Sequence, residues 1–295
     1  MKILVTGATG KLGSKVVEAL LKTVPAEQIA VSVRNPEKAE ALKAKGIEVR
    51  QGDYEKPETL DAAFSGIDRL LIISSSEVRL GGDEIRKRQH INAVEAAARA
   101  KVKFIAFTSA PKASDSDFFL AEVYKTTEEA ILKTGIPYSF LRNNWYLENE
   151  IASIKGAMDG APWVTTTGEG KVGWALQQDF AEAAATVLAN EGHENTIYEL
   201  SGKLMTHKEL VSVLEEVLGK EIQFHQVEDE AYSEMMKGAG VPESFLPMLI
   251  NIPKGIREGG LEAVSNDFEK ILGRPSIPMR EALSQIVRQL SQGAN

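Results

Sequence analysis

The sequence contains no cysteine among its 295 residues, which excludes disulfides, cysteine metal sites and a thiol nucleophile. It also lacks an excess of positive charge, because 34 lysines and arginines stand against 42 aspartates and glutamates, a net charge of −8. This balance argues against non-specific binding to nucleic acid or to an anionic membrane. No apolar run approaches the roughly 20 residues that a membrane-spanning helix needs. The opening MKILVTGATG passes directly into a strand-and-turn pattern, so we expect no signal peptide and a cytoplasmic location.

Short β-branched runs alternate with helical patterns through the first half of the chain. These runs are ILVT (3–6), IAVSV (29–33), IEVR (47–50), LLII (70–73), FIAFTS (104–109) and IPYSFLR (136–142). Such runs suit strands of a parallel sheet that is covered on both faces. Between them, Pro36 and Pro57 suit first turns of helices, while Gly46 and Gly66 follow helix ends. The alternation predicts an α/β fold with a doubly wound parallel sheet.

After Asn143 the alternation loosens into a loop-rich stretch, and amphipathic helices occupy much of the C-terminal third. TIYELSG (Thr196–Gly202) is expected to return to the sheet as a strand. The chain contains no low-complexity linker of the kind that separates independent domains. We therefore predict a main domain over residues 1–150 and a smaller, mostly helical lobe over residues 151–295.

The turn after the first strand reads TGATGKLGS and places Gly7, Gly10 and Gly13 three residues apart. Small residues let the backbone approach a pyrophosphate closely, and the following helix offers its N-terminal amides. The alternative is an ordinary strand-to-helix turn with incidental glycines. The position of the turn, directly after a first strand and at the start of a helix, favours dinucleotide binding by the main domain.

Cofactor choice is determined at the end of the second strand, which reads VSVRNPEK. An NAD-selective site usually has an acidic residue there for the ribose hydroxyls, but this chain has Arg34, with Lys38 one turn later. A guanidinium can bind a 2′-phosphate through two hydrogen bonds and stack on adenine. Arg34 therefore predicts NADPH, whereas Lys38 is either a second phosphate ligand or a solvated helix residue.

Two further polar stretches follow the third and fourth predicted strands. In GDY, Asp53 would offer an acceptor to an adenine amino group, and Tyr54 stands beside it. The run Ser74, Ser75 and Ser76 faces the same predicted cleft. Both stretches are expected to contact the cofactor, although ordinary turn chemistry would also explain them.

AEVYKTTEEA, residues 121–130, places Tyr124 directly beside Lys125 on a predicted helix. Adjacent residues on a helix point about 100° apart, while residues three or four apart share a face. A tyrosine acting with Lys125 would stand at position 121, where the chain has Ala121. We therefore expect Tyr124 to be packing or cleft wall rather than the acid. Lys125 either binds the nicotinamide or its ribose, or is paired with nearby glutamates such as Glu128.

Together, VTGATGKLGS, VSVRNPEKA, VRQGDYEKPETL, LLIISSSE, AAARAKVKFIAFTS and TTEEAILKTGIPYSFLRNNWYLEN resemble the NmrA-like atypical short-chain dehydrogenases. The resemblance is greatest to bacterial NAD(P)H:quinone oxidoreductases and triphenylmethane-dye reductases. It implies a Rossmann-type NADP(H) domain with a small C-terminal lobe that frames a substrate cleft. It also implies dinucleotide contacts from Thr9, Lys11 and Leu12 of the glycine turn, in addition to its glycines. Where the quinone-reductase branch often has a histidine, this chain has Tyr124.

The resemblance places LRNNWY (Leu141–Tyr146) near the nicotinamide, and we assign Asn143, Trp145 and Tyr146 to the acceptor. The two aromatic rings can stack on a planar molecule or simply belong to the core. Thr108 and the following serine, which end the fifth strand, are candidates for the hydroxyl group that normally completes such a site. None of the four histidines has metal-ligand spacing, so we predict no metal.

A missing acid favours particular acceptors. Reduction of an isolated ketone produces a strongly basic alkoxide, for which a general acid is typically worth about 10²- to 10⁴-fold. A quinone instead gives a delocalised anion with phenol-like proton affinity, and a cationic dye accepts hydride at carbon without any proton. We therefore expect an NADPH-dependent reductase of quinones or similar planar acceptors. The alternatives are a non-catalytic NADP(H)-sensing regulator and a reductase of dyes or isoflavone-like compounds; the oligomeric state is open.

Overall fold

The computed structural model describes residues 1–77, 81–116 and 118–293. Nine strands are found in these ranges: β1 (Ile3–Thr6), β2 (Ile29–Val33), β3 (Glu48–Gln51), β4 (Arg69–Ile72), β5 (Phe104–Ser109), β6 (Tyr138–Asn143), β7 (Trp163–Thr165), β8 (Thr196–Leu200) and β9 (Phe224–Gln226). Seven of them form one parallel sheet in the order β3-β2-β1-β4-β5-β6-β8, and β7 pairs with β9 separately. The predicted doubly wound parallel sheet is therefore confirmed.

Twelve α-helices connect these strands in the described residues. They are α1 (Lys11–Leu20), α2 (Glu40–Lys43), α3 (Pro57–Phe64), α4 (Gly82–Arg99), α5 (Ala121–Thr134), α6 (Ile151–Met158), α7 (Gln177–Ala189), α8 (His207–Leu218), α9 (Asp229–Gly238), α10 (Leu246–Arg257), α11 (Asp267–Leu272) and α12 (Met279–Gln292). Short 3₁₀ helices span Ala26–Gln28, Pro36–Ala39, Leu147–Glu150 and Glu243–Phe245. No helix of the described ranges combines the length and apolar character that crossing a membrane requires.

The large sheet is covered on both faces, as its almost uninterrupted apolar strands require. Helices α1 and α7 bury one face around residues such as Val16 and Phe180. Helices α3, α4 and α5 bury the other face around residues such as Phe64 and Phe107. A third apolar cluster, centred on Trp163 and Trp174, lies in the C-terminal lobe and includes side chains of α6, α8 and α12.

Strand β4 begins one residue earlier than its apolar run suggests, because Arg69 is buried within it. The Arg69 guanidinium lies 3.9 Å from the ring centroid of Phe104 and donates to the Val187 carbonyl at 3.0 Å. These contacts replace water around the charge, so arginine can occupy a position predicted to precede the strand. Ile73, predicted to end the strand, lies beyond it because its N–H donates to the Thr6 hydroxyl rather than to the sheet.

The segment after residue 150 contributes to the large sheet and its covering helices as well as to the C-terminal lobe. Strand β8 pairs with β6, as predicted for the TIYELSG run, and α7 packs beneath the sheet. The division into a main domain over 1–150 and a lobe over 151–295 stays a prediction.

A buried network of charges joins β5, β6, β8 and α5 at the carboxyl ends of the strands. Arg142 forms two hydrogen bonds with Glu128, at 3.0 and 2.7 Å, and both side chains are only 6% exposed. Arg142 also donates to Glu199 at 3.0 Å, and the Ser109 hydroxyl donates to Glu128 at 2.6 Å. Burial by itself lowers the pKa of Arg142, but the hydrogen bonds to these two glutamates outweigh it and the pKa is raised. The guanidinium is therefore charged at every pH at which the protein is folded.

We expect Arg142→Met to lower the free energy of unfolding by about 3–5 kcal/mol, because Glu128 would keep a buried charge without its partner. Urea denaturation followed by circular dichroism measures the change. Arg99→Met is the matched control, because Arg99 pairs with Asp61 where the side chains are 48% and 51% exposed. An exposed pair of this kind contributes about 1 kcal/mol or less. Equal losses in the two variants would contradict a special role for burial of the Arg142 network.

Candidate functional site

The parallel sheet brings the carboxyl ends of all its strands to one edge, and the strand order reverses between β1 and β4. Ligands of open α/β sheets bind in the crevice outside this reversal point. The glycine turn follows β1, Arg34 follows β2, and the serine run follows β4. Asn143 ends β6 at the same edge. The fold therefore brings most of the predicted site residues to a single edge.

The glycine turn is shaped by two close approaches of backbone to backbone. Gly7 has a φ of +60°, a left-handed conformation that side chains disfavour, and its N–H donates to the Ser32 carbonyl at 3.0 Å. The Gly10 N–H donates to the Gly7 carbonyl at 2.9 Å. A Cβ on Gly13 would lie 2.3 Å from the same carbonyl oxygen, so only glycine lets α1 begin directly against the turn.

The N-terminus of α1 is open to an anion. The helix begins at Lys11, no side chain caps it, and its first turn contains no acidic residue. The backbone N–H groups from Lys11 to Gly13 have no carbonyl one turn earlier to bind, and they carry the positive end of the helix dipole. The Leu12 side chain is buried in the core, so only its backbone faces the edge, while Thr9 and Lys11 are exposed. This arrangement fits a pyrophosphate.

Arg34 and Lys38 are both exposed at the end of β2. Asn35 accepts the Glu37 N–H at 3.1 Å and starts the short 3₁₀ helix that carries Lys38. In the part of the chain that the structure describes, neither basic side chain has an acidic partner within 4.0 Å. Two unpaired cations next to the glycine turn are available for a phosphate, so the arrangement agrees with the predicted roles without testing them.

Tyr54 uses its hydroxyl inside the protein rather than offering it to a ligand. The hydroxyl donates to Thr6 Oγ1 at 2.6 Å, and the Thr6 hydroxyl donates in turn to the Leu71 carbonyl at 3.0 Å. Burial raises the pKa of Tyr54, so the phenol stays protonated and keeps this bond. The sequence could not show this pairing, and any cofactor contact of Tyr54 must come from its ring or backbone.

Asp53 is half-buried beside Tyr54, at the end of the turn that follows β3. Its Oδ1 accepts the Glu55 N–H at 3.0 Å, and its own N–H donates to the Thr59 hydroxyl at 2.9 Å. This is the turn chemistry that the sequence also allowed. It occupies one carboxylate oxygen, so an adenine contact by Asp53 would use the other oxygen and stays a prediction.

Ser74 and Thr108 hold each other across the ends of β4 and β5. The Ser74 N–H donates to Thr108 Oγ1 at 2.9 Å, and the Thr108 hydroxyl donates to Ser74 Oγ at 3.2 Å. The Ser109 hydroxyl donates to Glu128, so the hydroxyl groups of Thr108 and Ser109 at the end of β5 both use their hydrogens within the protein. Thr108 is 1% exposed, and its predicted cofactor contact stays a prediction. Ser76, by contrast, is exposed.

His90 fixes the position of the serine run and has a defined tautomer. The Ser75 N–H donates to His90 Nε2 at 2.8 Å, so the ring proton is on Nδ1, which lies 2.9 Å from Thr127 Oγ1. Burial, assisted by the nearby Arg86 charge, lowers the pKa of His90 to about 3. The ring is therefore neutral near pH 7, and the Ser75 N–H keeps its acceptor.

Tyr124 is half-buried against α4 and β5. Its ring centroid lies 6.2 Å from that of Phe107 and 6.5 Å from that of His90, and the Arg86 guanidinium lies 5.1 Å above it. These contacts fit packing and a cleft wall, as the helix geometry predicted.

Lys125 is exposed, and Ala121, one turn earlier on α5, is buried, so no phenol occupies the position that would act with this lysine. No ion pair of Lys125 with Glu122, Glu128 or Glu129 is found within 4.0 Å in the described residues. Glu128 instead binds Arg142, and Glu122 lies 3.9 Å from Lys87. Lys125 is thus an unpaired cation beside the edge, and its proposed contact with the cofactor stays a prediction.

Asn143 and Tyr146 form the most distinctive pair of the site. Asn143 Nδ2 donates to the Tyr146 hydroxyl oxygen at 3.0 Å, which leaves the phenol hydrogen free to be donated elsewhere. Asn143 Oδ1 is buried and has no hydrogen-bond partner in the described residues. A buried amide oxygen without a donor costs about 1–3 kcal/mol, which a ligand N–H or O–H would recover. Burial raises the pKa of Tyr146, so its hydroxyl stays protonated.

Trp145 is half-buried, and its indole donates to Glu150 at 3.2 Å. Glu150 was not predicted as a site residue, because a glutamate in the polar run LENE (Leu147–Glu150) is typical of a solvated side chain. The role of His90 and the hydroxyl of Tyr146 as a donor were also missed. Each of these roles depends on a partner that sequence spacing does not reveal.

Comparison with known proteins gives a family and several relatives. The family model described as "NmrA-like family" matches residues 1–259. The chain is 40% identical to Quinone oxidoreductase 2 of Escherichia coli (strain K12) over 285 residues, 96% of this chain and 98% of the relative. Citrobacter sp. triphenylmethane reductase complexed with NADP(H) superposes with a TM-score of 0.91, at 41% identity, covering 97% of this chain and 100% of that one. Escherichia coli QOR2 complexed with NADPH gives a TM-score of 0.91 at 40% identity, covering 97% and 99%.

We expect Gly13→Ala to destabilise the fold by about 1–3 kcal/mol, because the new methyl group would collide with the Gly7 carbonyl. The shifted turn should also weaken binding of NADPH, measured by the change in nucleotide fluorescence. Gly156→Ala is the matched control, since its Cβ would meet the Ala161 Cβ at an ordinary 3.6 Å inside α6. If Gly13→Ala unfolded and bound NADPH as Gly156→Ala does, the turn geometry described above would be wrong.

Proposed function

We propose that this chain, which belongs to the NmrA-like family, is an NADPH-dependent oxidoreductase that transfers hydride to quinones or similar conjugated acceptors. Membership of the family, predicted from the sequence motifs, is confirmed by the match over residues 1–259. The observation that carries the proposal is the buried, unpartnered Asn143 Oδ1 beside the Tyr146 hydroxyl, on the same edge as the glycine turn. The names of the two solved relatives, an NADPH-dependent quinone oxidoreductase and a triphenylmethane reductase, support this reaction class.

The chain's own residues fit a dinucleotide phosphate. Because Gly13 has no Cβ, the glycine turn packs directly against the start of α1, whose first turn has no side-chain cap and no acidic residue. Arg34 supplies an unpaired guanidinium for the 2′-phosphate, with Lys38 close in sequence. We assign Lys125, an exposed residue of α5, to the ribose or the nicotinamide. When bound, the reduced nicotinamide supplies hydride.

The acceptor half of the site holds hydrogen-bonding groups and lacks a strong acid. Ala121 occupies the position of the usual phenol, so an isolated ketone would receive little help as its alkoxide forms. Tyr146, oriented by the Asn143 amide, donates a hydrogen bond to the oxygen on which charge develops. The proton that completes a hydroquinone then comes from solvent, because the delocalised anion is long-lived enough to accept it there.

Conjugated cationic dyes and isoflavone-like compounds are alternative acceptors, and a regulator that binds NADP(H) without turnover is the alternative from another class. We expect a small planar acceptor rather than nucleic acid or a membrane as the partner, in line with the net charge of −8. The cytoplasmic location stays a prediction.

The deciding experiment follows NADPH absorbance while the protein is offered neutral quinones such as menadione and cationic dyes such as crystal violet. Consumption of NADPH with formation of the reduced acceptor supports the reductase. Tight NADPH binding without turnover of any acceptor would favour the sensing role instead.

For Arg34→Ala we expect the KM for NADPH to rise about 10- to 100-fold, since a hydrogen bond to a charged phosphate contributes about 1.5–3 kcal/mol. The KM for NADH should change little, because NADH lacks the 2′-phosphate. Arg288→Ala, which removes an equally exposed arginine from α12, is the control. An unaltered ratio of NADPH to NADH efficiency in Arg34→Ala would refute the cofactor assignment.

For Tyr146→Phe we expect kcat with menadione to fall about 10-fold or more, because a donor to the developing oxyanion is lost. The kcat with crystal violet should be much less affected, since hydride arrives at carbon and no oxygen becomes charged. Tyr124→Phe removes the other phenol of this edge and should retain most menadione reduction. A collapse in Tyr124→Phe, with Tyr146→Phe active, would transfer the donor role to Tyr124.

A further inference from the structure

Glu150 is a carboxylic acid set among aromatic side chains at the start of the C-terminal lobe. It ends the short 3₁₀ helix Leu147–Glu150, a few residues beyond the acceptor segment. Its Oε1 accepts the indole N–H of Trp145 and that of Trp174, each at 3.2 Å. Its side chain is only 12% exposed.

No lysine or arginine of the described residues lies within 4.0 Å of this carboxyl group. The one basic group that approaches it is His207, whose Nε2 is 4.0 Å from Oε1. Burial lowers the pKa of His207 to about 4, so the imidazole is neutral near pH 7. A carboxylate here would therefore be an anion without a counterion from its own chain.

Two indole rings lie beside the carboxyl group. Trp145 is half-buried, and Trp174 is buried and packs edge-on against the His207 ring at 4.9 Å. Burial raises the pKa of the Tyr232 phenol on α9, and the Glu150 charge adds to this rise. Aromatic faces beside an unpaired carboxylate are the chemistry that selects organic cations.

We propose that Glu150, with Trp145, forms a subsite for planar organic cations and thereby sets the preference of the enzyme for cationic over neutral acceptors. This inference rests on the proposed function in so far as the cation is an acceptor of hydride. The carboxylate supplies the counterion, and the aromatic rings supply π-faces to the delocalised charge. A neutral quinone gains from the rings alone.

The subsite responds to pH in one direction. Burial raises the pKa of Glu150 to about 7, while the two indole hydrogen bonds partly oppose this rise. The group is therefore mostly neutral below that pH and mostly charged above it. His207 and Tyr232, the other titratable groups that face it, stay neutral across this range because burial moves their pKa values away from it. Affinity for a cation should accordingly increase as the pH rises through about 7.

The test measures the dissociation constants of crystal violet, a cation, and menadione, a neutral quinone, on the full chain saturated with NADP⁺. Calorimetric titration gives both values without any turnover. For Glu150→Gln, which keeps an oxygen acceptor for the indoles, we expect the crystal violet constant to rise about 10-fold or more relative to the menadione constant. Glu221→Gln removes the same charge from an exposed position of the lobe and should shift neither constant.

The unmodified protein supplies a second, independent readout. Its crystal violet constant should fall as the pH rises through about 7, and this dependence should disappear in Glu150→Gln. Equal changes for both probes, or a constant affinity for crystal violet across that pH range, would overturn the subsite. Absence of NADPH turnover with every acceptor would count against the proposed function alone, because the binding comparison needs no reaction.

Discussion

Arg142 and Glu128 carry opposite charges into a region where each side chain is 6% exposed, and the arrangement of the whole strand edge depends on their pairing. Removing such charges from water is unfavourable by several kcal/mol per ion, which is offset only when hydrogen bonds satisfy both groups. Glu199 from β8 and Ser109 from β5 complete those bonds. The ends of β5, β6 and β8 and the middle of α5 are consequently fixed relative to one another. Asn143 follows Arg142 directly, so the position of its amide at the site is inherited from this network.

The edge divides into two halves with different physical character. On the cofactor half, the binding groups are backbone amides and exposed basic side chains, whose placement follows from glycines that allow close approach. On the acceptor half, the groups are half-buried phenols, an amide with an unpaired oxygen, and a carboxylic acid among indoles. The cofactor half suits a single ligand, the phosphate groups of NADPH. The second half suits acceptors that differ in charge and shape but share a flat conjugated system.

The strands, the glycine turn and the return of β8 were predictable because each depends on a local pattern of apolar, branched or small residues. What escaped prediction depends on partners distant in the chain. Arg69 lies in a strand because its guanidinium pairs with Glu194, donates to the Val187 carbonyl and packs on the Phe104 ring. The Tyr54 hydroxyl donates to Thr6, 48 residues away. Glu150 was passed over for the same reason, since its indole partner Trp174 stands 24 residues further along. From sequence alone, a charged residue is predicted to be exposed to solvent. Only the folded chain shows the distant partners that allow it to be buried.

After residue 143 the chain passes repeatedly between the apolar cluster of α1 and α7 on the sheet and the apolar cluster of the C-terminal lobe. It packs in the lobe around Trp163, returns to the sheet with α7 and β8, re-enters the lobe with α8, returns with α11, and ends in the lobe with α12. A cut at residue 150 would therefore strip a strand and two helices from the sheet rather than release a module. Evolution or engineering can reshape the acceptor wall by substituting side chains, but it cannot exchange the lobe as a single cassette.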